Sequence, residues 1–263
     1  MNIYIGEPVV VSDMQWPAPS WFHVPLATDL TWLKTIMDWL NLTTGNDWRI
    51  NLHMPFAGYR DYSTAVLNYQ GSYGFYWSSS PFSAGSSYAR YLYLYSSRVR
   101  ADYSGGRADG FSVRCFKDSY VEPTSSWTII TWTLWSAWIF WNQTDWLISI
   151  TSDWTTWYTI KDKNLWATTV YNDWDTLSEA NCGKYYQWGN NYWFAWTWSV
   201  TTSSTQVNAQ NYWPWNYYNS DTFITWSGDW SSVQNDNLRW WVSQWSWTKS
   251  VEVKNIYIGN WLS

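Results

Sequence analysis

Histidine and cysteine carry most acid–base and nucleophilic chemistry near neutral pH, and this chain of 263 residues has two of each. His23 stands in Phe22-His23-Val24-Pro25, and His53 lies in a strand-like run with no Ser/Asp motif beside it. Both are read as hydrogen-bonded structural residues, and no catalytic residue is assigned. Cys115 and Cys182 are far apart and form no Cys-x-x-Cys pair. Two thiols exclude a disulfide-dense scaffold and a four-thiolate zinc site. One candidate for metal chemistry remains, Asp173-Trp174-Asp175 with Glu179. It lacks the ligand spacing of an EF-hand, so a solvated turn is expected there. No cofactor is expected, with Ca²⁺ the weaker alternative.

Binding chemistry has a clearer signal. Residues 59–117 hold Arg60, Arg90, Arg98, Arg100, Arg107, Arg114 and Lys117 against Asp61, Asp102 and Asp109. This cationic stretch belongs to a chain of net charge −5. Tyr59, Tyr73, Tyr76, Tyr88, Tyr91, Tyr93, Tyr95 and Tyr103 interleave with the cations. Tyr and Arg combine contact area with hydrogen bonding and are favoured at recognition surfaces. The candidate ligand-binding residues are Tyr59, Arg60, Tyr88, Tyr91, Tyr93, Tyr95, Arg98, Arg100 and Arg107. The competing reading is a solvated β-face with local Arg–Asp pairs, each worth little.

These residues need elements to position them. Thr28–Leu40 is the one convincing helix, with Leu30, Leu33, Ile36 or Met37, and Leu40 at helical spacing. Thr28 or Asp29 is expected to cap it. Ala89–Tyr95 alternates as a strand, placing Leu92 and Leu94 on a core face and Tyr91, Tyr93 and Tyr95 on the other. Phe111–Phe116 is a second strand, with Phe111, Val113 and Cys115 on one face. Ser119–Ser126, with Pro123, reads as a linker, and the remainder is Ser/Thr/Asn-rich with short strands. The length allows one large domain or two ordinary ones. The fold class expected is α+β, mostly β. The acidic balance argues against a nucleic-acid partner. Residues 127–144 carry no charge, but their Thr, Asn and Gln content argues against a membrane span.

Composition adds an anomaly. The chain has 29 Trp and 13 Gly, whereas Gly alone normally makes up about 7% of residues. Residues 1–118 hold 6 Trp and 9 Gly, and residues 119–263 hold 23 Trp and 4 Gly. Asp-Trp occurs six times, at Asp38-Trp39, Asp47-Trp48, Asp145-Trp146, Asp153-Trp154, Asp173-Trp174 and Asp229-Trp230. Asp-Gly is a strong turn signal, because Gly takes φ > 0 at no steric cost. The pattern fits glycine codons read as Trp, as when UGA encodes glycine. Glycine is expected at Trp48, Trp146, Trp154 and Trp174, and Trp39 as glycine would end the first helix. The alternative is a Trp-rich aromatic surface. Asn2-Ile-Tyr-Ile-Gly6 recurs as Asn255-Ile-Tyr-Ile-Gly259, which reads as a window cut from a tandem array.

Four ordered motifs over residues 16–118 resemble the Fibrobacter succinogenes major paralogous domain. Ala18-Pro-Ser-Trp-Phe-His-Val-Pro25, followed by the helix, is similar to its opening, with the family's Gly at Trp21. Met54-Pro-Phe-Ala-Gly-Tyr-Arg60, Gly74-Phe-Tyr-Trp-Ser-Ser-Ser80 and Gly110-Phe-Ser-Val-Arg-Cys-Phe-Lys-Asp118 are similar to later elements. Lys161-Asp-Lys-Asn-Leu-Trp-Ala-Thr168 and Gly183-Lys-Tyr-Tyr-Gln-Trp-Gly189 resemble the opening half of another copy.

The resemblance implies a C-type-lectin-like fold related to formylglycine-generating enzymes, in bacterial proteins that are secreted or cell-surface-anchored. It makes His23, Trp77, Arg114, Cys115 and Trp188 structural motif residues, with Trp77 and Trp188 genuine indoles. An extracellular setting would allow a Cys115–Cys182 disulfide or pairing between units. Residues 1–118 are expected to be the closing half of one unit, 119–154 a linker or irregular β segment, and 155–263 the opening half of the next. The function expected is non-catalytic recognition of a glycan or protein, with neighbouring repeat units as further partners. A ligand-free structural array and an oxidase-like enzyme are the alternatives.

Overall fold

A computed structural model describes residues 18, 22–117, 128–129, 138–142, 147–151, 157–196, 199–208 and 220–232. The fold is α+β and mostly β. The elements of the first part are β1 (Phe22–His23), α1 (Ala27–Trp39), α2 (Gly45–Asn51), β2 (Tyr59–Arg60), β3 (Leu67–Asn68), β4 (Tyr73–Pro81), β5 (Tyr88–Tyr95), β6 (Arg98–Gly106), β7 (Gly110–Phe111) and β8 (Phe116–Lys117). After them come β9 (Thr128–Ile129), β10 (Trp138–Asn142), β11 (Leu147–Thr151), β12 (Trp157–Lys161), α3 (Glu179–Cys182), β13 (Tyr186–Gln187), β14 (Thr202–Ser203) and β15 (Phe223–Ile224). The repeated pentapeptides, Trp21 and the 119–126 stretch lie outside the described residues.

Helix α1 buries Leu30, Leu33, Ile36 and Met37, with Leu40 just past its end. Asp29 Oδ2 accepts the Leu26 backbone N–H at 2.7 Å, placing a carboxylate in the first turn where the helix dipole favours it. The helix does not stop where a glycine at position 39 would stop it. Leu40 is the cap, and Asn41 takes the left-handed φ of 59°. Asn41 N–H donates to Asp38 O at 3.0 Å and Leu42 N–H to Met37 O at 2.9 Å. This is a Schellman close, with Asn where Gly is commonest.

Helix α2 lies where the sequence pattern placed no helix. Thr44 and Asp47 cap it reciprocally, so Asp47-Trp48 lies inside a helix and not in a turn. Trp48 is fully buried, and its indole N–H donates to Leu42 O at 3.1 Å. Glycine there would leave an indole-sized hole.

Strands β4, β5 and β6 form an antiparallel sheet with two distinct faces. One face carries Tyr76, Leu92, Leu94, Val99 and Ala101, and it shares a core with α1 and with Ile148, Ile150 and Ile160 of β11 and β12. The other face is aromatic. The predicted single strand over 111–116 is two short pieces, β7 and β8, with Val113–Cys115 between them outside any ladder. Its facing holds: Phe111, Val113 and Cys115 enter one cluster, together with Trp77, Tyr91, Tyr186 and Trp188.

Segments on both sides of residue 118 build the same cores. β8 pairs with β12 through Phe116 and Ile160, and β7 pairs with β13 through Phe111 and Tyr186. Strands β9 to β11 extend the sheet of order β1-β8-β12-β11-β10-β9. The indole N–H of Trp77 donates to Tyr186 O, and that of Trp188 to Ser78 O, each at 2.8 Å.

Candidate binding face

Strand alternation puts Tyr73, Phe75 and Trp77 of β4 opposite Tyr95, Tyr93 and Tyr91 of β5. On the far side of β5, Tyr95 pairs with Arg98, Tyr93 with Arg100 and Tyr91 with Tyr103. Two residues of β5 thus face three of β6, which is a bulge. The extra residue turns Tyr103 onto the aromatic face. Its ring centroid lies 5.6 Å from those of both Tyr91 and Tyr93.

The two ends of this face differ. At the Trp77 end it is roofed by Phe111, Val113, Tyr186 and Trp188. Trp77 stacks on Phe111 with centroids 4.1 Å apart, and Tyr91 is buried. At the other end the rings are half-exposed. Tyr73 stacks on Tyr93 at 5.6 Å and 18°, and Tyr95 sits 5.5 Å from Tyr93. Tyr69 extends the cluster, edge-on to Tyr73 at 5.0 Å and stacked on Tyr59 at 6.0 Å. Tyr69 is exposed and is held at a φ of 61°, a left-handed conformation uncommon for a large side chain.

Arg98 and Arg100 are exposed on the same face. Arg100 lies over the Tyr103 ring, 5.3 Å from its centroid, a cation–π arrangement. Neither forms an ion pair among the described residues. Burial pushes the Tyr59 and Tyr93 phenols up to about 12, so both stay neutral hydrogen-bond donors at any ordinary pH. Asp109 stands beside Tyr59 and Tyr91. Burial, opposed by a hydrogen bond from the Tyr62 N–H, pushes its carboxyl up to about 7.

Between α2 and the open end of the face lies a cleft of about 400 Å³, lined by Asn46, Arg49, Phe56, Gly71, Ser72, Tyr73, Tyr95 and Ser96. Gly45 lets the start of α2 approach β5 closely, because a Cβ there would lie 2.2 Å from Tyr95 O. Arg49 is held from the far side of the sequence. Its Nη2 lies 2.6 Å from Asp173 Oδ1, its Nη1 donates to the Tyr171 hydroxyl, and its guanidinium lies over Phe56.

Several sequence candidates lie elsewhere. Arg60 and Arg107 are fully buried and leave the binding surface. Arg60 donates to the carbonyls of Ala65 and Ala195, and burial lowers it to about 10. Arg107 donates to Tyr88 O, pairs with Asp229 at 3.4 Å and lies 4.2 Å over the Trp188 ring. Tyr91 belongs to the core, and Tyr88 lies at the opposite end of β5 from Tyr95, half-exposed. Tyr59, Tyr93, Tyr95, Arg98 and Arg100 remain on the open face.

The motif residues occupy structural positions. Arg114 is buried and donates to Leu52 O, His53 O, Lys161 O and Asn164 Oδ1. His23 lies 3.6 Å from Asp29. His53 is buried, its Nδ1 2.9 Å from Tyr171 O, and burial lowers its pKa. Cys115 and Cys182, a possible pair, are both buried free thiols in this structure. Cys115 packs with Val113 and Trp188, while the Cys182 thiol donates to Asn181 Oδ1 and burial pushes it up to about 12.

The acidic candidate loop is dispersed. Asp173 holds Arg49, Asp175 caps Asn172, and Glu179 pairs with Lys184 and accepts the Trp196 N–H. Among the described residues no group of three or more His, Cys, Asp or Glu is placed to hold a metal ion. No helix of the described residues is long and apolar enough to cross a membrane.

The sequence reading missed Arg49, Asn46, Tyr69 and Asp109. Only Tyr69 carried a local signal, an aromatic in a Tyr-Gln-Gly turn sequence. Residues 29–116 match a family described as a domain of unknown function, DUF8237. No curated protein and no solved structure matches the chain.

Proposed function

We propose that the open aromatic face is a non-catalytic recognition surface for a glycan chain, in a protein that acts outside the cell or at its surface. The observation that carries the reading is the half-exposed ladder Tyr69, Tyr73, Tyr93, Tyr95 and Tyr103, bordered by Arg98 and Arg100, which form no ion pair among the described residues. Aromatic faces bear a negative quadrupole, which suits the positively polarised C–H faces of sugar rings. The phenol hydroxyls and guanidinium groups supply donors for sugar oxygens. A protein partner is less favoured, because the described residues of this face are tyrosines and arginines, with no aliphatic side chain among them to fill an interface core. The alternatives are a ligand-free surface array, in which neighbouring units would cover this face, and an oxidase-like enzyme of the formylglycine-generating kind.

Calorimetric titration with neutral and acidic hexasaccharides tests the reading. Saturable binding is expected, weakened about tenfold by Tyr73→Ala or Tyr93→Ala, the size of a lost aromatic contact of about 1.4 kcal/mol. No saturable binding to any hexasaccharide would overturn it.

A second proposal concerns the tryptophans. Trp166 is held at a φ of 64° and is exposed. A bulky residue is an outlier in that conformation, and glycine adopts it freely. This backbone supports reading position 166 as glycine in the natural protein, as the resemblance to the Paralogous-domain motif also suggests. Trp174, largely exposed beside Asp173, is a further candidate. Trp48, Trp77, Trp188 and Trp230 are buried with bonded indole N–H groups, which supports tryptophan at those positions. Peptide mass spectrometry of the natural protein decides: glycine is expected at 166, and tryptophan there would sink the reading.

A further inference from the structure

The cleft beside α2 has a chemistry that the aromatic ladder lacks. Its lining combines an amide residue, Asn46, a cation, Arg49, two hydroxyl residues, Ser72 and Ser96, and the phenols Tyr73 and Tyr95. Only Phe56 and Gly71 are apolar. Its volume of about 400 Å³ lies at the small end of the range for ligand sites, about 300–1,000 Å³. That suits one polar ring better than an extended side chain or an aliphatic group.

The cleft is continuous with the ladder, since Tyr73 and Tyr95 belong to both. A chain lying along the tyrosines therefore reaches it. One cation, Arg49, lines it, and two more stand on the neighbouring strand. Arg98 lies directly across from Tyr95 in the sheet, and Arg100 is the next residue on that face. Asp173 neutralises part of the charge on Arg49 and also fixes its guanidinium in place. The Nε of Arg49 is a buried donor with no hydrogen-bond partner among the described residues. Of the other carboxylates nearby, Asp61 and Asp109 act on Tyr59 at the far end of the aromatic face, and Asp47 of α2 is engaged by Thr44 as a helix cap.

We infer that this cleft is the specificity subsite of the surface and takes a carboxylate-bearing sugar ring, so that the ligand class is an acidic, uronate-containing polysaccharide. The inference rests on the glycan reading of the ladder. Asn46, Ser72 and Ser96 bond the ring hydroxyls, and Arg49 with Arg98 receives the carboxylate. The ladder stacks the following rings irrespective of their charge.

The test uses the full chain and two probes, a galacturonate hexamer and cellohexaose, titrated at low and at physiological salt. The galacturonate hexamer is expected to bind about tenfold more tightly at low salt, about 1.4 kcal/mol, the lower end of what a charged hydrogen bond contributes. Screening should narrow that advantage as salt rises. Arg49→Gln should remove most of the advantage while leaving cellohexaose binding unchanged, whereas Asn46→Leu, which removes a hydroxyl contact common to both sugars, should weaken both hexamers. Asn46→Leu keeps the backbone bond from Asn46 N–H to Ser96 O, so it still reports whether the cleft is occupied if Arg49→Gln unfolds. Equal affinity for the two hexamers, with both weakened by Tyr93→Ala, would overturn the subsite and leave the ladder standing. Absence of binding by both would overturn the ladder and the subsite together.

Discussion

The two ends of the aromatic face are made of the same material. Trp77, Tyr91 and Phe111 at one end, and Tyr73, Tyr93 and Tyr95 at the other, come from the same kind of strand alternation. At the first end, residues 110–115 and 186–188 roof the rings and turn them into core. Nothing among the described residues roofs the second end, and the rings there stack on one another instead. An aromatic row in a strand therefore does not settle whether it is core or surface. What settles it is a segment arriving from elsewhere in the chain.

The largest effect expected tests the covered end. Trp77→Ala removes a fully buried indole and leaves Tyr186 O without its donor. A loss of about 3–5 kcal/mol is expected from chemical denaturation. A loss below about 1 kcal/mol would mean that this end is not core.

Tyr93→Ala is the matched change at the open end. It removes half-exposed ring contacts to Tyr73, Tyr95 and Tyr103. About 1 kcal/mol of stability should be lost, with saccharide binding reduced far out of proportion. Equal losses of stability from the Trp77 and Tyr93 variants would erase the contrast.

Asp109 sharpens the comparison through pH. Its carboxyl is raised to about 7 in the folded chain, against about 3.9 when unfolded. Between these values the folded state holds more protons than the unfolded one. Its contribution to stability is therefore complete below about pH 4 and is lost as pH rises through about 7. Asp109→Asn should raise the melting temperature by a few degrees at pH 8 and leave it unchanged at pH 3.5. Unchanged melting at pH 8 would show that the carboxyl titrates normally.

The smallest effect concerns Trp166. Replacing it with Gly relieves a left-handed bulky residue, a strain of about 1–3 kcal/mol partly offset by glycine's entropy. A gain of about 1 kcal/mol in denaturant melts is expected, and a loss would remove the structural support for glycine there.

Much of the scaffold was legible locally. The spacing of Leu30, Leu33, Met37 and Leu40, and the alternation of Leu92 and Leu94, each named a buried face correctly. The helix end was not legible, because Asn41 rather than a Gly supplies the left-handed turn. Arg60 and Arg107 were misplaced on the surface, since charge in a sequence does not show that backbone carbonyls will meet a guanidinium. Arg49 was invisible as a site residue, because Asp173 and Tyr171, which position it, are more than a hundred residues away. Tyr103 was counted, but only the bulge in β6 brings it to the ladder.

The central claim is that the open end alone meets the ligand. Ring-labelled tyrosine NMR, with a galacturonate hexamer titrated into the full chain, tests it most directly. Resonances of Tyr69, Tyr73, Tyr93, Tyr95 and Tyr103 should shift together and saturate, while those of Tyr91, Tyr185 and Tyr186 stay in place. Shifts absent from the first group, or confined to the second, would contradict the account.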